Sequence, residues 1–65
     1  MRVIAKIKVL TQSGKQIEEG SVWGVSSIDD GGSLVWLIAN RNLGSEVMYV
    51  STEVFNMAFS ELKNN

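Results

Sequence analysis

Apolar and polar residues alternate along the first part of the chain. The odd-numbered positions of residues 2–11 are Val3, Ala5, Ile7, Val9 and Thr11. This period of two, together with the β-branched side chains, predicts a strand with one buried face. Ser13-Gly14 then supplies a turn, residues 15–19 form a partly extended polar connection, and a second strand is expected over residues 21–28.

A hairpin signal follows in the sequence Asp29-Asp30-Gly31-Gly32. Asp-Gly is favoured at the centre of a type I′ turn because both central residues take positive φ. With Asp30-Gly31 as that centre, a third strand spans residues 33–39. This register places Val25 opposite Trp36 and Trp23 opposite Ile38.

A fourth strand is expected over residues 46–51, joined to the third by residues 40–45. If Ala39 lies opposite Glu46, Trp36 pairs with Tyr49 and Ile38 with Val47. One face then carries Trp23, Val25, Leu34, Trp36, Ile38, Val47 and Tyr49. The other face carries Val22, Gly24, Ile28, Val35, Leu37, Ala39, Met48 and Val50. Because the middle strand is apolar on both sides, we expect both sides to be covered.

The C-terminal part of the chain has helical periodicity. Its apolar positions are Val54, Phe55, Ala58, Phe59 and Leu62. Ser51 or Thr52 is suited to the N-cap, and Glu53 suits the positive end of the helix dipole. This pattern predicts a short amphipathic helix within residues 52–62 that packs on one face of the sheet. The alternative is a single turn at residues 52–55 followed by a fifth short strand.

The composition restricts what such a fold can do. The chain has 65 residues, 45% of them hydrophobic, and contains no His, Cys or Pro; we expect a single domain, residues 1–65, with a small core. It lacks the common general base, the Ser-His and Cys-His nucleophiles, and thiolate or imidazole metal ligands. We therefore expect no enzyme, cofactor or metal. Charges interrupt the apolar N-terminus, which predicts a cytosolic protein without a membrane segment.

Charged residues provide weaker functional hints. Arg2, Lys6 and Lys8 alternate onto one face of the first strand, where they either protect a sheet edge or contact an anionic surface. The segment 29–33 lacks the ligand spacing of a calcium loop and is interpreted as the hairpin turn. The glutamates are interpreted as solvated surface charge. The net charge is only −1, so nucleic-acid binding is the weaker alternative. It would use Arg2, Lys6, Lys8, Lys15, Arg41 and an exposed Trp.

Three runs of this sequence resemble a known group of proteins. They are residues 18–25 (EEGSVWGV), residues 34–38 (LVWLI) and residues 47–55 (VMYVSTEVF). The pattern resembles small SH3-like barrel proteins of bacteriophages and mobile elements of Gram-positive bacteria. The resemblance covers roughly residues 18–59 and rests on a turn glycine and core apolar positions. It implies an SH3-like fold and a phage-type protein that binds and inhibits or redirects a host protein.

The aromatic residues are the most informative side chains. Burial in the core is the simpler interpretation of Trp23, Trp36 and Tyr49, because aromatic residues bury the most area. Exposed on a shared face, they would instead form a contact site for a peptide or a methylated cation. One short helix does not cover both apolar faces, so part of the apolar set is expected to remain exposed. The candidate protein-binding residues are Trp23, Trp36, Met48, Tyr49, Phe55, Met57 and Phe59.

The leading hypothesis is a non-enzymatic protein-binding module. Its expected fold is mainly β, either a small antiparallel SH3-like barrel or a curved four-stranded meander, with a short C-terminal α-helix. It would occlude a surface of a partner, such as a host protein, through an aromatic and methionine patch with a polar rim. Homodimerisation through the same patch is a variant of this hypothesis.

Overall fold

The computed structural model describes residues 1–41 and 44–63, with the backbone alone at residues 40 and 41. The elements in chain order are β1 (Arg2–Ala5), β2 (Val9–Leu10), β3 (Gln16–Ile17), β4 (Val22–Asp29), a 3₁₀ turn (Asp30–Gly32), β5 (Leu34–Arg41), β6 (Gly44–Ser51), α1 (Thr52–Ala58) and β7 (Phe59–Glu61). The expectation of a mainly β fold with a short C-terminal helix is therefore confirmed.

Five strands form one antiparallel sheet in the order β6-β5-β4-β1-β7. Strands β2 and β3 pair separately as a small hairpin. Strands β4, β5 and β6 follow one another as a meander, whereas β7 comes from the far end of the sequence to pair with β1. Within the described ranges the sheet does not close into a barrel, because β6 and β7 each have one neighbouring strand.

The expected first strand is divided by a bend at residues 6–8. Its alternation of buried and exposed residues persists on both sides of the bend, whereas Ile7 within the bend is 47% exposed. The Lys6 N–H donates to the Ala58 carbonyl at 2.7 Å and so extends the β1–β7 ladder by one pair before the bend. The β2–β3 hairpin follows, and its turn contains Gly14 with the positive φ that suits a glycine there.

The turn between β4 and β5 lies where the sequence predicts it, but the pairing beyond it differs. Asp30 and Gly31 both have positive φ, 55° and 66°. Asp29 nevertheless pairs with Leu34, because the loop spans residues 30–33 rather than two residues.

A β-bulge at Ser26 changes the β4–β5 pairing a second time. Upstream of this extra residue, Val25 pairs with Leu37 instead of Trp36. One extra residue reverses which side chains of two strands share a face. The pairs predicted for Val25 and Trp23 are therefore wrong. The pairing of β5 with β6, in contrast, is confirmed at Trp36–Tyr49, Ile38–Val47 and Ala39–Glu46.

The hydrophobic core lies on one side of the sheet, here called the inner side. Helix α1 and the β2–β3 hairpin contribute to it together with the sheet. The buried apolar residues are Val3, Ala5, Val9, Ile17, Trp23, Val35, Leu37, Ala39, Met48, Val50, Ala58 and Phe59. Removal of this apolar surface from water is the main force that stabilises the fold.

Helix α1 is shorter than the helix expected within residues 52–62. The helical interpretation is right up to Ala58, and the alternative is right that a short strand, β7, follows. The helix begins after Ser51, whose hydroxyl accepts the Val54 N–H at 3.2 Å, which confirms Ser51 as the N-cap. It ends at Ala58, and the next residue, Phe59, is extended and pairs with Ala5 in the sheet. The chain thus satisfies the backbone groups of β7 while placing the Phe59 ring in the core. No helix in the described residues is long and apolar enough to cross a membrane.

Replacing Ser51 with alanine should lower the free energy of unfolding by about 1 kcal/mol, because α1 loses its capping oxygen. Ser51→Asp keeps an acceptor and adds a favourable charge at the helix N-terminus, so it should retain most of the stability. Urea denaturation followed by circular dichroism measures both variants. An equal loss in the two variants would contradict the capping role.

Candidate protein-binding face

Trp23 and Trp36 lie on opposite sides of the sheet. Trp23 is only 2% exposed in the core, and its indole N–H donates to the Ser21 hydroxyl at 2.9 Å. Trp36 is half-buried on the side away from the core, here called the outer face. The bulge at Ser26 separates the two rings. The prediction that Trp23 shares a face with Trp36 and Tyr49 is therefore wrong, whereas the pairing of Trp36 with Tyr49 is confirmed.

Apolar residues extend across the outer face over β1, β4, β5 and β6. They are Ile4, Val22, Leu34, Trp36, Ile38, Val47 and Tyr49. All are half-buried except Val47, which is 47% exposed. A contiguous apolar patch of this kind on a small protein is typical of an interaction surface.

Trp36 and Tyr49 form the aromatic centre of the outer face. Their ring centroids lie 5.0 Å apart, and the ring planes are tilted by 43°. Such tilted pairs add about 0.5–1.5 kcal/mol beyond the area they bury. The contact therefore holds both rings in a defined arrangement on neighbouring strands.

The indole N–H of Trp36 is an unusual group. Its nitrogen is buried and has no hydrogen-bond partner among the described residues. Leaving a buried donor unpaired costs about 1–3 kcal/mol, so most native donors find an acceptor. The outer face is consequently incomplete in its hydrogen bonding as well as in its apolar cover.

Gly24 lies on the outer face and adds no side chain to it. It lies between Arg2 of β1 and Ile38 of β5. An added Cβ would lie 3.6 Å from the Ile38 Cγ2 atom, which is an ordinary contact, so space does not require a glycine. A glycine inside a strand often marks a place where another molecule or backbone approaches closely.

The other aromatic and methionine candidates belong to the inner side. Met48 and Phe59 are buried in the core, and Phe55 stacks on Phe59 with ring centroids 5.5 Å apart. Met57 is 64% exposed, but it lies on α1 and not on the outer face. Of the seven residues that the sequence singled out, the structure therefore places only Trp36 and Tyr49 on the outer face.

The basic residues do not form the expected stripe on a strand. Arg2, Lys6 and Lys8 are all exposed. Strand β1 ends at Ala5, however, so Lys6 and Lys8 lie in the bend that follows it. Lys15 is exposed beside the β2–β3 turn, and the Arg41 side chain lies outside the described residues. Among residues 1–41 and 44–63, no group of three or more carboxylate, His or Cys side chains is placed to hold a metal ion.

A small cavity opens between the β2–β3 hairpin and the start of α1. It is lined by Leu10, Thr11, Gln12, Val50, Ser51 and Val54, and its volume is about 40 Å³. Ligand pockets measure roughly 300–1,000 Å³, so this space suits a water molecule rather than a substrate.

The sequence contains one signal for the bulge that divides the aromatic residues. Ser26 and Ser27 are two consecutive polar residues between the apolar positions Val25 and Ile28, so no strict alternation can run through this strand. Bulges insert one residue in this manner and reverse the faces upstream of the insertion. No sequence signal marks the unpartnered indole N–H, because it depends on the final packing.

Comparison with known proteins does not indicate a function for this site. Neither a protein family, a curated protein nor a solved structure matches the chain. The outer face itself is therefore the basis for a functional assignment.

Phenylalanine substitutions should separate the roles of the two tryptophans. Trp23→Phe removes buried apolar volume and the hydrogen bond to Ser21, so the free energy of unfolding should fall by about 2 kcal/mol. Trp36→Phe removes the unpartnered N–H, which offsets the lost apolar area, so its change should stay within about 0.5 kcal/mol. Urea denaturation followed by circular dichroism provides both values. Equal losses in the two variants would contradict the assigned environments.

Proposed function

We propose that this chain is a non-enzymatic protein-binding module that uses the outer face centred on Trp36 and Tyr49. The observation that carries the proposal is an apolar face that includes a buried, unpartnered indole donor. The helix and the β2–β3 hairpin pack on the inner side, which leaves the outer face without a covering element among the described residues. A partner surface would complete its apolar cover.

The chemistry of the face suits recognition of a protein. Trp and Tyr are enriched at the centres of protein interfaces, where they contribute much of the binding energy. Removing apolar surface from water contributes roughly 25 cal/mol per Å². The net charge of −1 adds little long-range attraction for a nucleic acid. We expect affinity to come mainly from apolar contact, with Arg2 at the margin of the face.

The strand order supports an SH3-like assignment as part of this proposal. A meander of β4, β5 and β6 combined with a last strand that returns beside the first strand is what a small five-stranded barrel requires. The resemblance to phage SH3-like proteins supports a host protein as the partner. Occlusion of a surface on that protein is then the mode of action, since the face offers contact area and no catalytic group.

The dispersed basic residues do not favour nucleic-acid binding. Arg2 lies at the outer face, Lys6 and Lys8 lie in the bend after β1, and Lys15 lies beside the hairpin turn. A nucleic-acid platform instead combines a continuous basic groove with stacking aromatic residues. We therefore expect no salt-sensitive gel shift with DNA or RNA, and tight salt-sensitive binding would contradict the proposal.

A lysine at the middle of the outer face tests the proposal directly. Gly24→Lys adds a charged side chain there without removing any existing side-chain contact. Ile28→Lys is the matched control, because Ile28 lies on the same strand and is 61% exposed, but it pairs with the buried Val35 and so lies on the opposite side of the sheet from the patch. Both variants should keep the wild-type circular dichroism spectrum.

Affinity capture from a lysate of the organism that encodes the chain, quantified by mass spectrometry, compares the three proteins. Wild type and Ile28→Lys should retain the same partner, whereas Gly24→Lys should retain it at least about tenfold less, equivalent to about 1.4 kcal/mol. Equal retention by all three proteins, or no protein retained above empty beads, would count against the outer face as a binding site.

A further inference from the structure

Strand β6 has a long edge that no other strand of the described chain pairs. It is the outermost strand of the sheet and has eight residues, whereas β7 at the opposite edge has three. The ladder with β5 occupies the other side of Gly44–Ser51. A long open edge presents a row of donors and acceptors to any further strand.

The ladder shows which backbone groups point outward. The Thr52 N–H donates to the Ser33 carbonyl at 3.0 Å and so continues the β5–β6 ladder. Hydrogen-bonding direction alternates along an antiparallel strand. Met48 and Val50 therefore direct their N–H and C=O groups toward β5. Val47 and Tyr49 direct theirs toward the open edge.

This edge lacks the usual protection against strand addition. Proteins protect edges with Lys, Pro or very short strands. The β6 sequence GSEVMYVS contains neither Lys nor Arg, and the whole chain contains no Pro. Glu46 is the one charged residue of the strand, and the exposed Val47 lies beside the edge. From Val47 to Ser51, the edge therefore carries neither a charged side chain nor a Pro that would oppose the addition of a strand.

We propose that β6 pairs antiparallel with β6 of a second copy of this chain about a two-fold axis. Such pairing is self-complementary, because the same donors and acceptors face each other from both copies. An axis at Val47 or Met48 keeps outer residues opposite outer residues and does not place Glu46 directly opposite Glu46 of the second copy. With a net charge of −1, two copies also approach with little repulsion.

The dimer would join the outer faces of the two copies into one surface. The inference that β6 mediates dimerisation does not depend on the proposed binding function. One strand from each copy forms an interface below about 1,200 Å², which is typical of weak, exchanging complexes. We therefore expect a concentration-dependent equilibrium rather than a permanent dimer.

Sedimentation and amide exchange on the wild-type protein test the proposal together. Between about 10 µM and about 1 mM, the weight-average mass should rise from 7.1 kDa toward twice that value. Over the same range, exchange of the Val47 and Tyr49 amides should slow at least about tenfold, because these N–H groups acquire acceptors. A monomer at every concentration, or a dimer in which these two amides exchange as in the dilute sample, would overturn it.

Two edge variants and one face variant locate the interface. Val47→Pro removes an outward N–H while leaving the ladder to β5 intact, and Pro is tolerated at such positions. Val47→Lys introduces a typical edge-protecting charge and serves as the second variant if Pro disturbs the fold. Each should weaken dimerisation at least about tenfold, whereas Gly24→Lys should leave it unchanged. Dimerisation that survives both edge variants would exclude β6 as the interface, whatever the outcome of partner capture.

Discussion

One extra residue in strand β4 determines how the sheet distributes its aromatic side chains. Because the bulge at Ser26 reverses the faces between β4 and β5, Trp23 enters the core while Trp36 remains outside it. In so small a protein, the buried ring provides a large share of the core volume. Without the bulge, both indoles would lie on the same side. The core would then contain either two large rings or none, and helix α1 would not pack as it does.

The sequence predicts most elements of this fold because their signals are local. Alternating side chains indicate the strands, Asp30-Gly31 marks the turn, and Ser51 is a typical helix cap. The β5–β6 register also follows from the pattern, since neither strand is interrupted. The β4–β5 register does not follow, because loop length and bulge position depend on how Trp23 packs. The end of α1 likewise depends on a distant strand, since Phe59 leaves the helix to pair with Ala5.

The candidate site illustrates the same division between local and tertiary information. The Trp36–Tyr49 pair is predictable from strand register, whereas the burial of Met48 and Phe59 reflects which face the helix covers. The outer face and the edge of β6 adjoin at Val47. A second copy paired at this edge would place two outer faces side by side, so a partner with two contact points would gain avidity without any new contact type.

The pairing of β1 with β7 has a consequence for how the protein acquires its structure. Val3 lies opposite Glu61, so this part of the sheet joins residues that are far apart in the sequence. The β4–β5 and β5–β6 hairpins join nearby residues and close only short loops, whose entropy cost is small. During synthesis, β4, β5 and β6 are made one after another and can pair as soon as they are complete. One edge of β1, in contrast, stays unpaired until β7 has been made. Until that strand has been made, β1 exposes an open edge to other proteins in the cell.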